Sequence, residues 1–210
     1  MEKIVSGKVI CIGRQYGSGG REIGQKLADK LKIPYYDKLL IQKAAQEAGL
    51  DERVVAQGEE KPVRFALSGN VFADEAGMMT SFYSPSQAVF EAEREIIQSI
   101  AEQGSCVVIG RCASALLPKE STLSVFIYAD DADRIARVAK RNAITEKEAK
   151  QRIRRMDRMR RQYFDFYSDS AWGAPESYSL MLSSSIYGIN GCADILTCSV
   201  NTVEKRDVHE

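Results

Sequence analysis

The sequence contains one histidine, His209, and five cysteines (Cys11, Cys106, Cys112, Cys192 and Cys198) that form neither a C-x-x-C pair nor a cluster with histidine. Zinc coordination and a Cys–His nucleophilic pair need such clusters, so neither chemistry is expected. An odd, scattered thiol count fits reduced cysteines rather than a disulfide framework. No apolar run is long enough to span a bilayer, and no secretory leader is readable, so a cytoplasmic protein without a membrane partner is expected. Excess charge of one sign is also missing. The 29 basic residues balance 29 acidic ones, which argues against a general nucleic-acid binder. A chain of 210 residues buries roughly 70% of its unfolded surface, so it needs no staple to fold.

What is present concentrates between Val9 and Asp37, VICIGRQYGSGGREIGQKLADKLKIPYYD. An apolar strand runs into Gly13, Gly17, Gly19 and Gly20, and a helix with Ile23, Leu27, Ala28 and Leu31 on one face follows. Strand, glycine turn and helix N-terminus make an anion cradle of converging N–H groups and a positive dipole end. One part of the usual cradle is absent. The pattern G-x-x-x-x-G-K-[ST] requires a lysine and a hydroxyl, whereas Gly19 is followed by Gly20, Arg21 and Glu22.

Beyond Asp37 the pattern predicts a helix over Lys38–Ala48 closed by Gly49, with Asp37 either its N-cap or a ligand group. Periodicity fades across 58–83, read as a mobile substrate-side segment. Ser84, Pro85 and Gln87 signal a helix start, and the helix to Gln103 carries Val89, Phe90, Ile96, Ile97 and Ile100. Cys106–Ile109 and Ser124–Ala129 are buried strands, the first running into Gly110-Arg111. Asp130 caps a helix near Asp133, and Thr145 with Glu148 forms a capping box for a helix to about Phe164. A strand at Ser179–Ser183 and a last helix over Cys192–Val203 complete the chain. Strands alternating with helices after a glycine turn give a doubly wound parallel sheet.

From Arg134 to Arg161 twelve Lys/Arg face three acids. Within that run Arg154, Arg158 and Arg161 (i, i+4, i+7) share one helix face, and Asp157 is placed to orient Arg160 and Arg161. Strand ends bring Gly13–Arg21, Asp37 and Gly110–Arg111 to one sheet edge, where ligands sit in open α/β folds. Phosphoryl transfer asks for this set, namely backbone donors and cations around spread negative charge.

The chain resembles a nucleoside monophosphate kinase of the cytidylate-kinase-like family. The resemblance rests on RQYGSGGREIGQKLADKLKIPYYD, VVIGRCASALL, DRIAR, MDRMRRQYFDFYSDSAWG and YSLMLSSSIYGI. It implies a P-loop NTPase-type α/β domain spanning 1–210, with a core (1–37, 104–130, 178–205), an acceptor-side segment near 38–103 and a helical lid near 131–177. It implies ATP and Mg²⁺ as cofactors and a nucleoside monophosphate, CMP or dCMP, as acceptor. Gly17, Ser18, Gly19, Gly20 and Arg21 would then bind the donor phosphates. Asp37 and Arg111 would bind the acceptor, and Arg154, Arg158 and Arg161 would close over the phosphates. In this register Gly20 stands at the phosphate lysine, Glu22 at the Mg²⁺-binding Ser/Thr, and Cys112 at the aspartate after the G-R pair. A lysine-free loop is itself typical of this group, and Arg14 and Arg21 are the available substitutes. A non-catalytic nucleotide sensor or a kinase for another small molecule shares these features. A dinucleotide-binding G-x-G-x-x-G fails at Glu22.

Overall fold

The computed structural model describes residues 8–37, 40–41 and 85–207. Five parallel strands form one sheet in the order β2-β3-β1-β4-β5: β1 is Val9–Arg14, β2 Tyr35–Tyr36, β3 Cys106–Ile109, β4 Thr122–Tyr128 and β5 Leu180–Ser183. The helices are α1 (Gly20–Leu31), α2 (Pro85–Glu102), α3 (Ala113–Leu116), α4 (Asp131–Asn142), α5 (Glu146–Tyr167) and α6 (Ser184–Asp207).

β1 sits at the centre because it is apolar on both faces. Strand residues alternate sides, so Ile10 and Ile12 pack with α1 and α6 through Ile23, Leu27 and Leu196. Val9 and Cys11 pack on the opposite face with α2 and α3 through Ile97, Ile100 and Ala113. Continuous apolar runs such as Cys106–Ile109, buried throughout, are what a sheet covered on both faces requires. Among the described residues no helix is long and apolar enough to cross a membrane.

Several boundaries differ from expectation. α4 starts at Asp131, and Asp130 occupies the N-cap position without a side-chain cap bond. α6 starts at Ser184 rather than Cys192, with a break at Gly188; the serine- and glycine-rich stretch there hides the helical period. Of the helix expected after Asp37, residues 40–41 are helical. The rest of it, Gly49, segment 58–83 and Ser84 lie outside the described residues.

The Thr145–Glu148 capping box forms in full. Thr145 Oγ1 accepts from Glu148 N, and the Glu148 carboxylate accepts from Thr145 N at 2.8 Å and from Thr145 Oγ1 at 2.7 Å. The Thr145 hydroxyl, then its N–H, hold the Glu148 carboxyl below its ordinary range. A depressed acid contributes stability above its unfolded pKa and loses it as pH falls through the lowered value. Thr145→Ala should cost about 1 kcal/mol as a lost N-cap, and in an NMR carboxyl titration it should move Glu148 up only part of the way to the ordinary glutamate range, because the N–H of residue 145 remains as a donor.

Candidate active site

The glycine loop between β1 and α1 bends through left-handed Gly17 (φ 84°) and Gly19 (φ 80°), conformations that cost side-chain-bearing residues about 1–2 kcal/mol. Its carbonyl groups are fixed one after another. Arg160 Nη1 donates to Arg14 O at 3.1 Å, Ser18 Oγ to Gln15 O at 2.9 Å, and Arg134 Nε to Tyr16 O at 2.9 Å. Arg137 Nη1 donates to Gly17 O, and Ser184 Oγ to Ser18 O at 2.6 Å. With its acceptors held by α4, α5 and α6, the loop turns into the uncapped start of α1, whose first N–H groups lack intrahelical acceptors. That end suits an anion.

The clamp itself centres on Asp157. Its Oδ1 accepts from Tyr16 N at 2.6 Å and its Oδ2 pairs with Arg134. Burial raises the Asp157 carboxyl above its usual range, with the Tyr16 N–H and Arg134 pulling the other way. The Tyr16 ring lies between two guanidinium groups, with Arg141 Cζ at 5.1 Å and Arg160 Cζ at 5.3 Å. Sequence spacing places Asp157 beside Arg160 and Arg161; in the structure Arg160 is close enough to help hold the Asp157 carboxyl down, and Arg134 and the loop supply its direct partners.

The missing lysine has a steric explanation. A Cβ on Gly20 would lie 2.7 Å from Arg14 Cβ and 3.1 Å from Arg14 Cγ, and a Cβ on Gly110 would collide with the Arg14 guanidinium. The Arg14 stem thus accounts for Gly20, whereas Gly110 is required by its own left-handed φ of 75°. The stem crosses the start of α1 and the Arg14 guanidinium reaches over the end of β3. Arg21, the other candidate, is engaged by Asp37: Nη2 pairs with Asp37 Oδ2 at 2.6 Å, and the Arg21 side chain is 66% exposed. Asp37 also accepts from Leu40 N at 3.2 Å, so it caps the following helix and holds Arg21.

Beyond Arg14, at the carboxyl ends of β1 and β3, lies a cavity of about 40 Å³ bordered by Gly13, Gly110, Arg111, Arg160, Tyr163 and Tyr178. Arg111 and Cys112 are both left-handed, φ 57° and 55°, and strain of that kind persists only where the surroundings enforce it. The Arg111 side chain is 3% exposed and pairs through Nη2 with Glu93 Oε1 at 3.0 Å, Glu93 being equally buried. Arg111 Nε and Nη1 are buried without a hydrogen-bond partner. Tyr163 completes the group, its hydroxyl 3.3 Å from Glu93 Oε2 and its ring 5.6 Å from Arg111 Cζ. Burial, then Glu93, push the Tyr163 hydroxyl far above the ordinary tyrosine range, so it remains a donor. Burial likewise pushes Tyr178 up to about 12.

Of the residues singled out from the sequence, the structure brings Arg14, Arg111 and the glycine loop together. Ser18 is fully buried, its hydroxyl turned into its own loop. Arg154, Arg158 and Arg161 line a different groove, between α4 and α5. Sequence reasoning missed Arg160, Glu93 and Tyr163 as members of the site.

The residues present fit nucleotide phosphates: a glycine cradle, a helix start and guanidinium groups. For Mg²⁺, no cluster of three or more His, Cys, Asp or Glu side chains exists among the described residues. The metal would therefore be held mainly through the phosphates and its own waters, as Mg²⁺ commonly is.

Solved structures support the architecture. An uncharacterized protein from Eubacterium ventriosum matches at 25% identity and TM-score 0.71, over 92% of this chain and 98% of its own. TT1252 from Thermus thermophilus matches at 15% identity and TM-score 0.55, over 93% and 96%. Shikimate kinase from Bacteroides thetaiotaomicron matches at 13% identity and TM-score 0.52, over 92% and 98%; at these last two identities the likeness is one of fold. No curated protein sequence matches significantly. The model of the cytidylate kinase-like family matches residues 9–186, and with the arginine-clamped glycine loop and the G-R pair in place, the chain belongs to that family.

Proposed function

We propose that this kinase-like phosphotransferase moves the γ-phosphoryl group of ATP to a nucleoside monophosphate, with CMP and dCMP the first candidates. The observation that carries the reading is Arg111. A buried guanidinium with two nitrogens lacking partners, on a residue that lines a cavity beside a glycine cradle, is costly unless an anion completes it. The acceptor phosphate supplies that anion. A cavity of about 40 Å³ suits a phosphate-sized group, so base and sugar lie outside it.

Bound ATP supplies the phosphoryl group and its leaving group. The N–H groups at the start of α1 hold the donor phosphates, and Arg14 stands between them and Arg111 to offset charge during transfer. Arg160 and the Asp157–Arg134 pair keep the loop in shape. Phosphoryl transfer needs little covalent help from protein, so positioning and electrostatics carry the rate. A coupled assay over the common ribo- and deoxyribonucleoside monophosphates, with shikimate as a non-nucleotide control, tests this. Turnover concentrated on CMP or dCMP is expected.

A non-catalytic nucleotide sensor is the second reading, and the Arg21–Asp37 pair favours it because that cation is already engaged by a carboxylate. ATP binding without turnover on any acceptor would select the sensor.

A further inference from the structure

Tyr178 is a buried residue that the transfer scheme leaves unused. It follows a 3₁₀ turn over Pro175–Ser177, and the bond from Ser179 N to Ser124 O at 2.8 Å fixes it at the entry to β5. Its ring packs against Phe126, with centroids 4.9 Å apart, and against Phe164 at 6.2 Å. From there the ring reaches the end of β1. A Cβ on Gly13 would lie 3.0 Å from Tyr178 Cε1 and 3.1 Å from Tyr178 Oη, so the hydroxyl rests against the first glycine of the loop. Gly13, Tyr178, Arg14 and Arg111 border one cavity.

The proton of this hydroxyl has no use inside the folded chain. The Gly173 N–H lies near its oxygen, but an N–H can only donate, and no acceptor takes the hydroxyl proton among the described residues. A buried donor left unpaired costs stability. Burial, which pushes its pKa up to about 12, keeps the proton on, so whatever pairs with it must be an acceptor. Arg111 makes the same demand through Nε and Nη1. One water has too few lone pairs for these donors together, whereas a phosphoryl group presents three acceptor oxygens. We propose, on the reading that Arg111 takes the acceptor phosphate, that Tyr178 donates its hydroxyl proton to the same phosphoryl group and is a second binding residue for it. Its approach from the start of β5, while Arg111 follows β3, fixes the orientation of the phosphate as well as its place.

Tyr178→Phe removes the hydroxyl and keeps the ring. Calorimetric titration of inorganic phosphate and of CMP, with a non-hydrolysable ATP analogue filling the glycine loop, tests the role. Both probes should bind the parent chain, and Tyr178→Phe should weaken both about ten- to hundredfold, the effect of one hydrogen bond to a charged group. Its melting temperature without ligand should stay within about 4 °C of the parent. KM for the acceptor should rise in step, while KM for ATP stays within about twofold. Tyr128→Phe, at an exposed tyrosine of β4, should change none of these. If phosphate binds and weakens as stated but CMP neither binds nor turns over, Tyr178 keeps its role and the nucleoside monophosphate reading fails. Unchanged phosphate affinity in Tyr178→Phe, with or without a fall in melting temperature, would overturn the role of Tyr178 alone. No binding of either probe by the parent chain would overturn both.

Discussion

Arg14→Ala should lower phosphoryl transfer by about a hundredfold to a thousandfold, the range expected when one preorganised charge-stabilising donor is removed. The folded state should survive, because the stem that is lost is partly exposed and its removal leaves space beside Gly20 and Gly110 rather than a clash. The prediction follows from placement. In the usual cradle a lysine rises from the first residue of the helix and tracks charge into the transition state. Here that residue is Gly20, and the space above it belongs to Arg14 Cβ and Cγ. The cation reaches the site from the end of β1 instead. It ends over Gly110 and borders the same cavity as Arg111. Arg21→Ala should behave differently: it releases an exposed partner of Asp37, so its effect on the rate should be much smaller. Steady-state kinetics with the best acceptor separates the two.

Glu93→Leu should destabilise the chain by about 3–5 kcal/mol, because it leaves the buried Arg111 charge without its carboxylate. For a chain of this size that is a drop of roughly 6–20 °C in melting temperature. Pairing it with Arg111→Met removes both charges, and the double variant should melt above Glu93→Leu alone. The coupling has a functional counterpart. An acceptor phosphate that occupies the two idle nitrogens of Arg111 stabilises the folded state, by about 2.7 kcal/mol at a hundredfold excess over its dissociation constant. Arg111→Met should lose that ligand-induced shift while raising KM for the acceptor. A double variant no more stable than Glu93→Leu would show that the pair is not coupled as described.

The sheet was legible because its strands are short apolar runs bounded by glycine or proline signals, and the capping box marked the start of α5. The site was legible only in part, and the reason is periodicity. On α5 the buried positions are Ala149, Ile153 and Phe164. Continuing that stripe by four, three and four residues passes through Asp157 and Arg160, which therefore face the loop. Arg154, Arg158 and Arg161 are one position off the stripe and fall on its exposed flank. Charge density drew attention to the flank, whereas the apolar phase pointed to the inner face. The same signal exists on α2, where Glu93 interrupts the face made by Val89, Phe90, Ile97 and Ile100; a lone acid inside a buried stripe asks for a buried cation. The trade between Arg14 and Gly20 could not be read from spacing. It depends on two backbone segments meeting at the end of β1, and a one-dimensional pattern places no stem in space.

The most direct test of the account is a reciprocal exchange at those two positions, read as transfer rate and ATP affinity. Gly20→Lys alone should be impaired, since its side chain meets the Arg14 stem. Arg14→Ala should be slow, and Arg14→Ala/Gly20→Lys should recover a substantial part of the rate by rebuilding the lysine route. A double variant no faster than Arg14→Ala, or a Gly20→Lys chain as active as the parent, would contradict the claim that Arg14 supplies the cation that the loop lacks.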